Sequence, residues 1–447
     1  MSFIADLDVA SRPACFVALL AAVALVLAPR AGAAQRAELN PVPHTRDHVP
    51  GEVLQLDSLE RQVLERNASY AAMRAAVRAA RARVETEGAL SDPMVRVYAA
   101  PRSFASGGPE PAWRAELELP LPWFDRRGAR RAAAMAEADA AGAGLETARL
   151  DLIRETRTAF YDDYHFDQVR RTSLDLLDLL DHTRASALAR YAAGLAPQQD
   201  VLDADVEIAM REHEVVSAQR SQTLVEARLR ALLHLDPLTP LPAPPDTLER
   251  PDALDAVRLI ARSNEARRPE TLAAEADIRV AEARRALASR SNLFEPTIGF
   301  SYDRYWSEKE LQPGVMAGLT LPIAPGRRSG AVHEAEAMLD AAKARRDAVR
   351  DELRRGIADA STEFEESLHE LDIVAGRLLP AAERSLASAR AGYASGRTDF
   401  STLIRAAREV SNARLEYHRV LGDAHQARAD LERALGQPAP VEGKESR

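Results

Sequence analysis

The sequence predicts a mainly α-helical chain made of two tandem copies of one unit: helix, β-hairpin, helix. Three observations carry that prediction. First, landmarks recur at a fixed spacing: Leu119-Pro120-Leu121 against Leu321-Pro322-Ile323, Gly128-Ala129 against Gly330-Ala331, and Tyr191-x-x-Gly194 against Tyr393-x-x-Gly396, each pair 202 residues apart. Self-similarity at a fixed period marks a repeated structural unit. Second, within each copy the hydrophobic period changes from helical to two-residue alternation and back. Third, the helical runs are long: Gly128 to Ala193 holds 66 residues without a proline, about 100 Å at 1.5 Å per residue, which no single globular domain accommodates.

The elements follow in order. Residues 1–33 read as a secretory signal peptide, with Arg12 before the apolar run Cys15 to Ala28 and Ala31-Gly32-Ala33 as the small-residue cleavage site. An N-terminal extended segment, 34–55, precedes the first repeat at 56–236. That repeat opens with a helix from Leu56 to Gly88, closed by the Ser91-Asp92-Pro93 turn. Strands Met94 to Ala100 and Ala112 to Leu119 form a hairpin (94–119), the second strand alternating Trp113, Ala115, Leu117 and Leu119 with Arg114, Glu116 and Glu118. A sheet with one apolar and one polar face results. The long helix 128–193 then turns at Gly194 into a return helix, 197–235.

Six prolines between Pro237 and Pro251 forbid a continuous helix and set a linker at 237–252. The second repeat, 253–436, has a helix from Ala253 to Arg290, a hairpin at 297–321, a long helix expected to run unbroken over 330–394, and a return helix at 398–435. The tail 437–447 is expected to be flexible. Each pair of short helices set end to end approaches the length of one long helix, so four columns of similar height are expected. The last helix carries a heptad seam: Leu403, Val410, Tyr417, Ala424 and Leu431 in one position, and Ala406, Ala413, Val420, Ala427 and Ala434 in the other. All ten suit burial between helices. The positions 202 earlier are apolar in eight of ten cases, Gln222 and Arg211 being the departures. Taken alone, these segments also suit a free rod-like coiled coil.

Composition excludes several classes. The longest apolar run holds 14 residues, short of the roughly 20 that a membrane-spanning helix needs. The net charge is -9, with charges of both signs interspersed, which argues against nucleic acid as a partner. The single cysteine, Cys15, gives neither a disulfide framework nor a thiolate metal site. No phosphate loop, His-Glu-x-x-His or Gly-x-Ser-x-Gly motif is present, so an enzyme is not expected and no cofactor is implied. His418 and His425, seven apart, are expected to be solvated or to face a lumen; a transient metal contact is the alternative.

The hairpins decide between a rod and a membrane protein. Tyr98, Trp113, Trp123, Tyr302, Tyr305 and Trp306 fall in or beside them. Aromatic girdles at a bilayer boundary would place them so; packing in a soluble sheet is the alternative. Four strands with an apolar face leave two raw edges, which lipid does not tolerate, so closure must come from other copies. Three chains give a 12-stranded transmembrane β-barrel continued by a hollow α-helical barrel, and a homotrimer is therefore expected.

At this point the residues resemble a known family, the TolC-type outer-membrane efflux channels. The resemblance runs from about Leu56 to Gly436. Its most specific pieces are Leu90-Ser91-Asp92-Pro93-Met94, Leu119-Pro120-Leu121-Pro122, and the Tyr-x-x-Gly turns followed by Gln199-Asp200-Val201-Leu202-Asp203-Ala204 and Asp399-Phe400-Ser401-Thr402-Leu403. Asp-Pro-Met and Arg126-Arg127-Gly128 are most similar to the cobalt-zinc-cadmium branch. The resemblance implies an outer-membrane exit duct with most of the chain in the periplasm. Such a duct passively conducts heavy-metal cations or organic compounds handed over by an inner-membrane resistance-nodulation-division pump and a periplasmic adaptor. The turns at Gly194, Leu195, Gly396 and Arg397 are the expected adaptor-docking points. Asp200 and Asp399 are the expected lumen-facing gate carboxylates, and Asp203 and Asp205 are candidates for interhelical pairing with arginines; helix capping is the alternative role for all four. The competing function class is the periplasmic adaptor itself, or a coiled-coil scaffold of an export system.

Overall fold

The computed structural model describes residues 52–104, 112–121, 126–253, 267–290, 294–306, 308–320 and 324–436. The expected signal peptide, most of segment 34–55, the tail 437–447 and Trp123 lie outside the described residues. The first repeat holds α1 (Leu56–Arg66), α2 (Ala68–Gly88), β1 (Met94–Ala99), β2 (Trp113–Pro120), α3 (Arg126–Ala192) and α4 (Gln198–Leu232). The second holds α5 (Pro269–Arg290), β3 (Glu295–Asp303), β4 (Pro313–Thr320), α6 (Pro325–Ile373), α7 (Leu379–Ala394) and α8 (Phe400–Leu435).

Three expected helices differ in detail. The run Leu56 to Gly88 is two helices, because Asn67 leaves the helical region and caps α2 by accepting the Tyr70 N–H at 3.0 Å. Its amide also donates to the Leu232 carbonyl at 3.1 Å, pinning the break to the end of α4. In the second repeat the described helix begins at Pro269, with Arg267 and Arg268 outside it, and residues 254–266 of the expected Ala253 to Arg290 run lie outside the described residues. Proline suits a first helical position, where its missing N–H costs nothing, and it pushes the preceding residue out of the helical region. The long helix 330–394 contains Pro380 and is interrupted by a π turn at Val374–Leu378. A wider π turn accommodates a residue that cannot donate to the ladder. α3, with no proline, runs its full 67 residues.

The sheet has order β1-β2-β3-β4, antiparallel throughout, so the two hairpins join across β2 and β3. Cross-strand register puts Val95 beside Leu117, Leu117 beside Phe300, and Phe300 beside Val315. The opposite face carries Arg96, Glu116 and Ser301 in one row, and Tyr98, Arg114 and Asp303 in the next. Gly299 allows that face to close, since a Cβ there would lie 2.7 Å from the Leu117 carbonyl oxygen.

α3 contacts α2, α4, α5 and α8, while α6 contacts α5 and α8, so the two long helices are the spines on which the shorter ones stack. One apolar cluster joins α1 to α3 and the end of α4 through Leu59, Val63, Phe160, Leu229 and Leu232. Another, with Tyr164, Phe364, Leu371, Val420 and Leu431, ties α3 to α6 and α8 across the repeats. Eight of the ten α8 seam residues are buried, Tyr417 and Ala434 partly so. Gln222 and Arg211, the polar seam residues of α4, are buried as well. They are tolerated because Gln222 donates to Asp163 at 3.1 Å and Arg211 pairs with Glu214. Arg157 is likewise buried between Glu60, at 2.6 Å, and Glu432. Hydrogen-bonded pairing is what permits a charge there.

Candidate functional site

The two ends of the helical columns carry the features that bear on function. At the end far from the sheet, α3 reverses into α4 and α7 into α8 through two matching turns. Gly194 has φ 71° and Gly396 φ 72°, the left-handed conformation that glycine adopts without a Cβ penalty. Leu195 N–H donates to the Arg190 carbonyl at 2.8 Å and Gly194 N–H to Tyr191 at 2.9 Å. Arg397 donates to Gly392 at 2.9 Å and Gly396 to Tyr393 at 3.1 Å. Each pair satisfies the orphan carbonyls of a helix end by the Schellman pattern. The two turns touch: the Arg190 guanidinium lies 4.8 Å over the Tyr393 ring, and Val201, Ala204, Phe400 and Ile404 share one apolar cluster with Leu176 and Leu180. Leu195 stands out from this packing at 71% exposure, and Arg397 is exposed with its Nε on Ser395 Oγ at 3.0 Å.

The four aspartates beside the turns separate by partner. Asp205 pairs with Arg184 of α3 at 2.5 Å. Asp203 accepts from Gln199 at 2.6 Å. Asp399 caps α8, accepting the Thr402 N–H at 3.0 Å and the Ser401 hydroxyl at 3.1 Å, and hydrogen bonds from Thr402 and Ser401 hold its carboxyl below the usual range. Asp200 is pushed upward, first by burial and then by the charges of Asp203 and Asp399, with Arg190 opposing. Asp200, Asp203 and Asp399 therefore share one field, and Asp200 is the one whose ionisation the others resist.

At the other end the sheet presents an exposed apolar face. Val95, Val97, Phe300 and Val315 are 66%, 68%, 60% and 80% exposed among the described residues of one chain. Trp113 and Tyr302 lie on this face with ring centroids 5.4 Å apart, and the exposed Tyr305 and Trp306 follow directly after β3. Tyr98 departs from the expected group: its register partner is Arg114, on the charged face, since strand parity separates it from Val95 and Val97. Arg96 pairs with Glu118 at 2.6 Å and Arg114 Nε with Asp303 at 2.9 Å on that face.

His418 and His425 are half-buried against α3 rather than standing in solvent. His418 Nδ1 meets the Tyr164 hydroxyl at 2.9 Å, and His425 stacks on Tyr161 with centroids 4.7 Å apart and bonds the Glu249 carbonyl at 2.8 Å through Nε2. Both fill the contact between α8 and α3, and no grouping of three or more metal-ligating His, Cys, Asp or Glu side chains occurs among the described residues. Sequence spacing missed this because their partners lie more than 170 residues away.

Comparison with known proteins agrees with this geometry. The model of the outer membrane efflux protein family matches residues 59–234 and again 261–437, two matches whose starts repeat the 202-residue period. The cobalt-zinc-cadmium resistance protein CzcC of Cupriavidus metallidurans is 26% identical over 338 residues, covering 72% of this chain and 77% of its own. Among solved structures, the outer membrane protein VceC of Vibrio cholerae superposes with a TM-score of 0.71 at 20% identity, over 86% of this chain and 96% of its own. The open-state MtrE outer membrane channel of Neisseria gonorrhoeae gives 0.71 at 19%, over 86% and 89%. The fold is shared, and with both repeats matched by the family model, the chain is a member of the outer membrane efflux protein family.

Proposed function

We propose that three copies of this chain close into one duct and that the duct is the exit of a tripartite efflux system carrying heavy-metal cations. The observation that carries the reading is the four-stranded sheet whose edges, β1 and β4, have no further strand among the described residues, with an exposed apolar face, joined to a helix about 100 Å long. An apolar face of that kind is stable in lipid, and the raw edges need partners there. Three sheets pair edge to edge into twelve strands, and the columns below extend the same lumen. Conduction is passive; an inner-membrane pump of the resistance-nodulation-division class supplies energy through a periplasmic adaptor. The similarity to CzcC, named for cobalt, zinc and cadmium resistance, supports divalent metals over organic compounds as cargo.

The paired turns are the adaptor's docking points, with Leu195 as the apolar contact and Arg397 as the charged one. Asp200, Asp203 and Asp399 form the gate: a threefold axis makes each a ring of three, and such rings favour cations. In a strain lacking the chain, re-expression should restore growth on zinc, cobalt or cadmium. A Leu195→Asp, Arg397→Asp variant should restore trimer yield but not growth. Full resistance in that variant would remove the docking role, and unchanged metal sensitivity on deletion of the chain would remove the cargo.

A further inference from the structure

Where the sheet meets the helices, a cavity of about 260 Å³ is lined by Ser91, Arg126, Arg130, Glu295 and Thr297, among others. Its charge is unbalanced. Arg126 is committed: its Nη2 donates to the Arg290 carbonyl at 2.8 Å, and it pairs with Glu295. Arg130 has no such anchor, and its Nε is buried without a hydrogen-bond partner. Arg328, at the start of α6, is near enough that its charge, after burial and together with that of Arg130, lowers the proton affinity of Arg126. The cavity thus holds two guanidinium groups, Arg126 and Arg130, and one carboxylate, Glu295, with the charge of Arg328 near Arg126. Glu295 and Thr297 alternate with Ile298 and Phe300 along β3 and so belong to the charged face of the sheet. The cavity thus takes charged-face residues of β3 together with Arg126 and Arg130 of α3.

We propose that this cavity is an oxyanion site, in which Arg130, with the Ser91 hydroxyl, holds a phosphate, sulfate or carboxylate group and Arg328 adds positive charge nearby. A planar guanidinium presents a fork of donors that matches the oxygens of such a group, and charge-assisted bonds of this kind are roughly twice as strong as neutral ones. An oxyanion would take up the donor capacity that Arg130 Nε leaves unused and offset the excess positive charge there. The ligand reaches the site either from solution in the duct or as the headgroup of a lipid, and both present the same oxygens.

The test uses the detergent-purified full chain in a chloride buffer, titrated calorimetrically with inorganic phosphate, after its phosphorus content has been assayed before and after chloroform extraction. Wild type should bind one phosphate per chain, and Arg130→Gln, Arg328→Gln should bind at least tenfold more weakly at equal trimer yield. Arg130→Lys should recover part of the loss, because it restores charge but not the fork. One extractable phosphorus per chain in wild type, absent from the double variant, would assign the site to a lipid headgroup. Wild type that neither binds phosphate nor retains phosphorus would overturn the proposal, as would a double variant that binds as wild type does. The measurement is independent of cargo and transport, so it stands or fails separately from the efflux reading.

Discussion

Phe300 lies near the middle of β3, flanked by Leu117 and Val315, and is 60% exposed in a single chain. β3 has nine residues, about 30 Å of extended chain and roughly 20 Å of bilayer at the 45° tilt typical of barrels. Replacing Phe300 with Arg puts a charge close to the bilayer midplane, where it costs about 2–4 kcal/mol per copy, or roughly 6–12 kcal/mol over a trimer. If the face met water instead, the same substitution would stay within about 0.5 kcal/mol, as surface changes do. The assay is denaturant-induced unfolding in lipid vesicles, read by tryptophan fluorescence and by loss of the heat-resistant trimer on gels. Met316→Arg is the control, because Met316 faces the opposite way, in the row of Glu118 and Gly299, and a cation there has a carboxylate at hand. Phe300→Arg should lower the unfolding midpoint sharply while Met316→Arg leaves it nearly unchanged. Equal midpoints, or a Phe300→Arg chain that stays folded and soluble without detergent, would refute the assignment of the apolar face to lipid.

Reconstituted in a planar bilayer, an Asp200→Ala, Asp399→Ala variant should lose cation selectivity and block by millimolar divalent ions; a reversal potential equal to wild type would leave the aspartates as helix-terminal charges only. Arg157→Ala should destabilise the fold by about 3–5 kcal/mol, the cost of stranding a buried partner, because Glu60 and Glu432 lose the cation between them; a change under about 1 kcal/mol in the unfolding midpoint would show that water reaches them. His418 is held down to about 4, by burial first and then by the charges of His165 and Arg414. The unfolded chain therefore binds the extra proton first: stability is full above about pH 6.5 and falls by about 3 kcal/mol as pH drops toward 4. The wild-type midpoint should fall more steeply over that window than that of His418→Gln, and parallel profiles would remove His418 from the cause.

Much of this architecture is legible in the sequence because it is written in local periods. Alternation around Trp113 to Leu119 sets the two faces of β2, the heptad of α8 sets its buried seam, and the spacing of Gly194 and Gly396 sets the paired turns. What escapes is decided by distant partners or by a single residue. Asn67 sits inside a helix-forming run, and its role as a cap depends on the Tyr70 N–H and on Leu232, 165 residues away. Pro380 is visible as a proline, but that the helix resumes after a π turn depends on Leu371 and Val374 being anchored in the cluster with Phe364 and Val420. The sidedness of Tyr98 follows from the parity of Val95 and Val97, a local signal; residue type alone grouped it with Trp113. The burial of His418, Arg157 and Gln222 has no local signature, since each is made tolerable by a partner from another helix.

The charges at the two ends of the long helices act separately, and this bears on how a duct could pass cations beside a cluster of arginines. α3 runs from the Arg126 junction to the Gly194 turn over 67 residues, about 100 Å, whereas the Debye length at physiological ionic strength is about 8 Å. Asp200, Asp203 and Asp399 therefore concentrate cations at the tip with no help or hindrance from the junction. Near the sheet, Arg130 and Arg328 would repel a cation at close range unless something offsets them, and Glu295 is already engaged by Arg126. An oxyanion on Arg130 lowers that local barrier without weakening the tip. Removing the acidic cluster should then change selectivity without altering phosphate binding, and removing the two arginines should abolish phosphate binding without altering divalent block at the tip. Loss of both properties from either variant would mean that the ends are coupled through the wall, by a change in how the helices pack, rather than through the field.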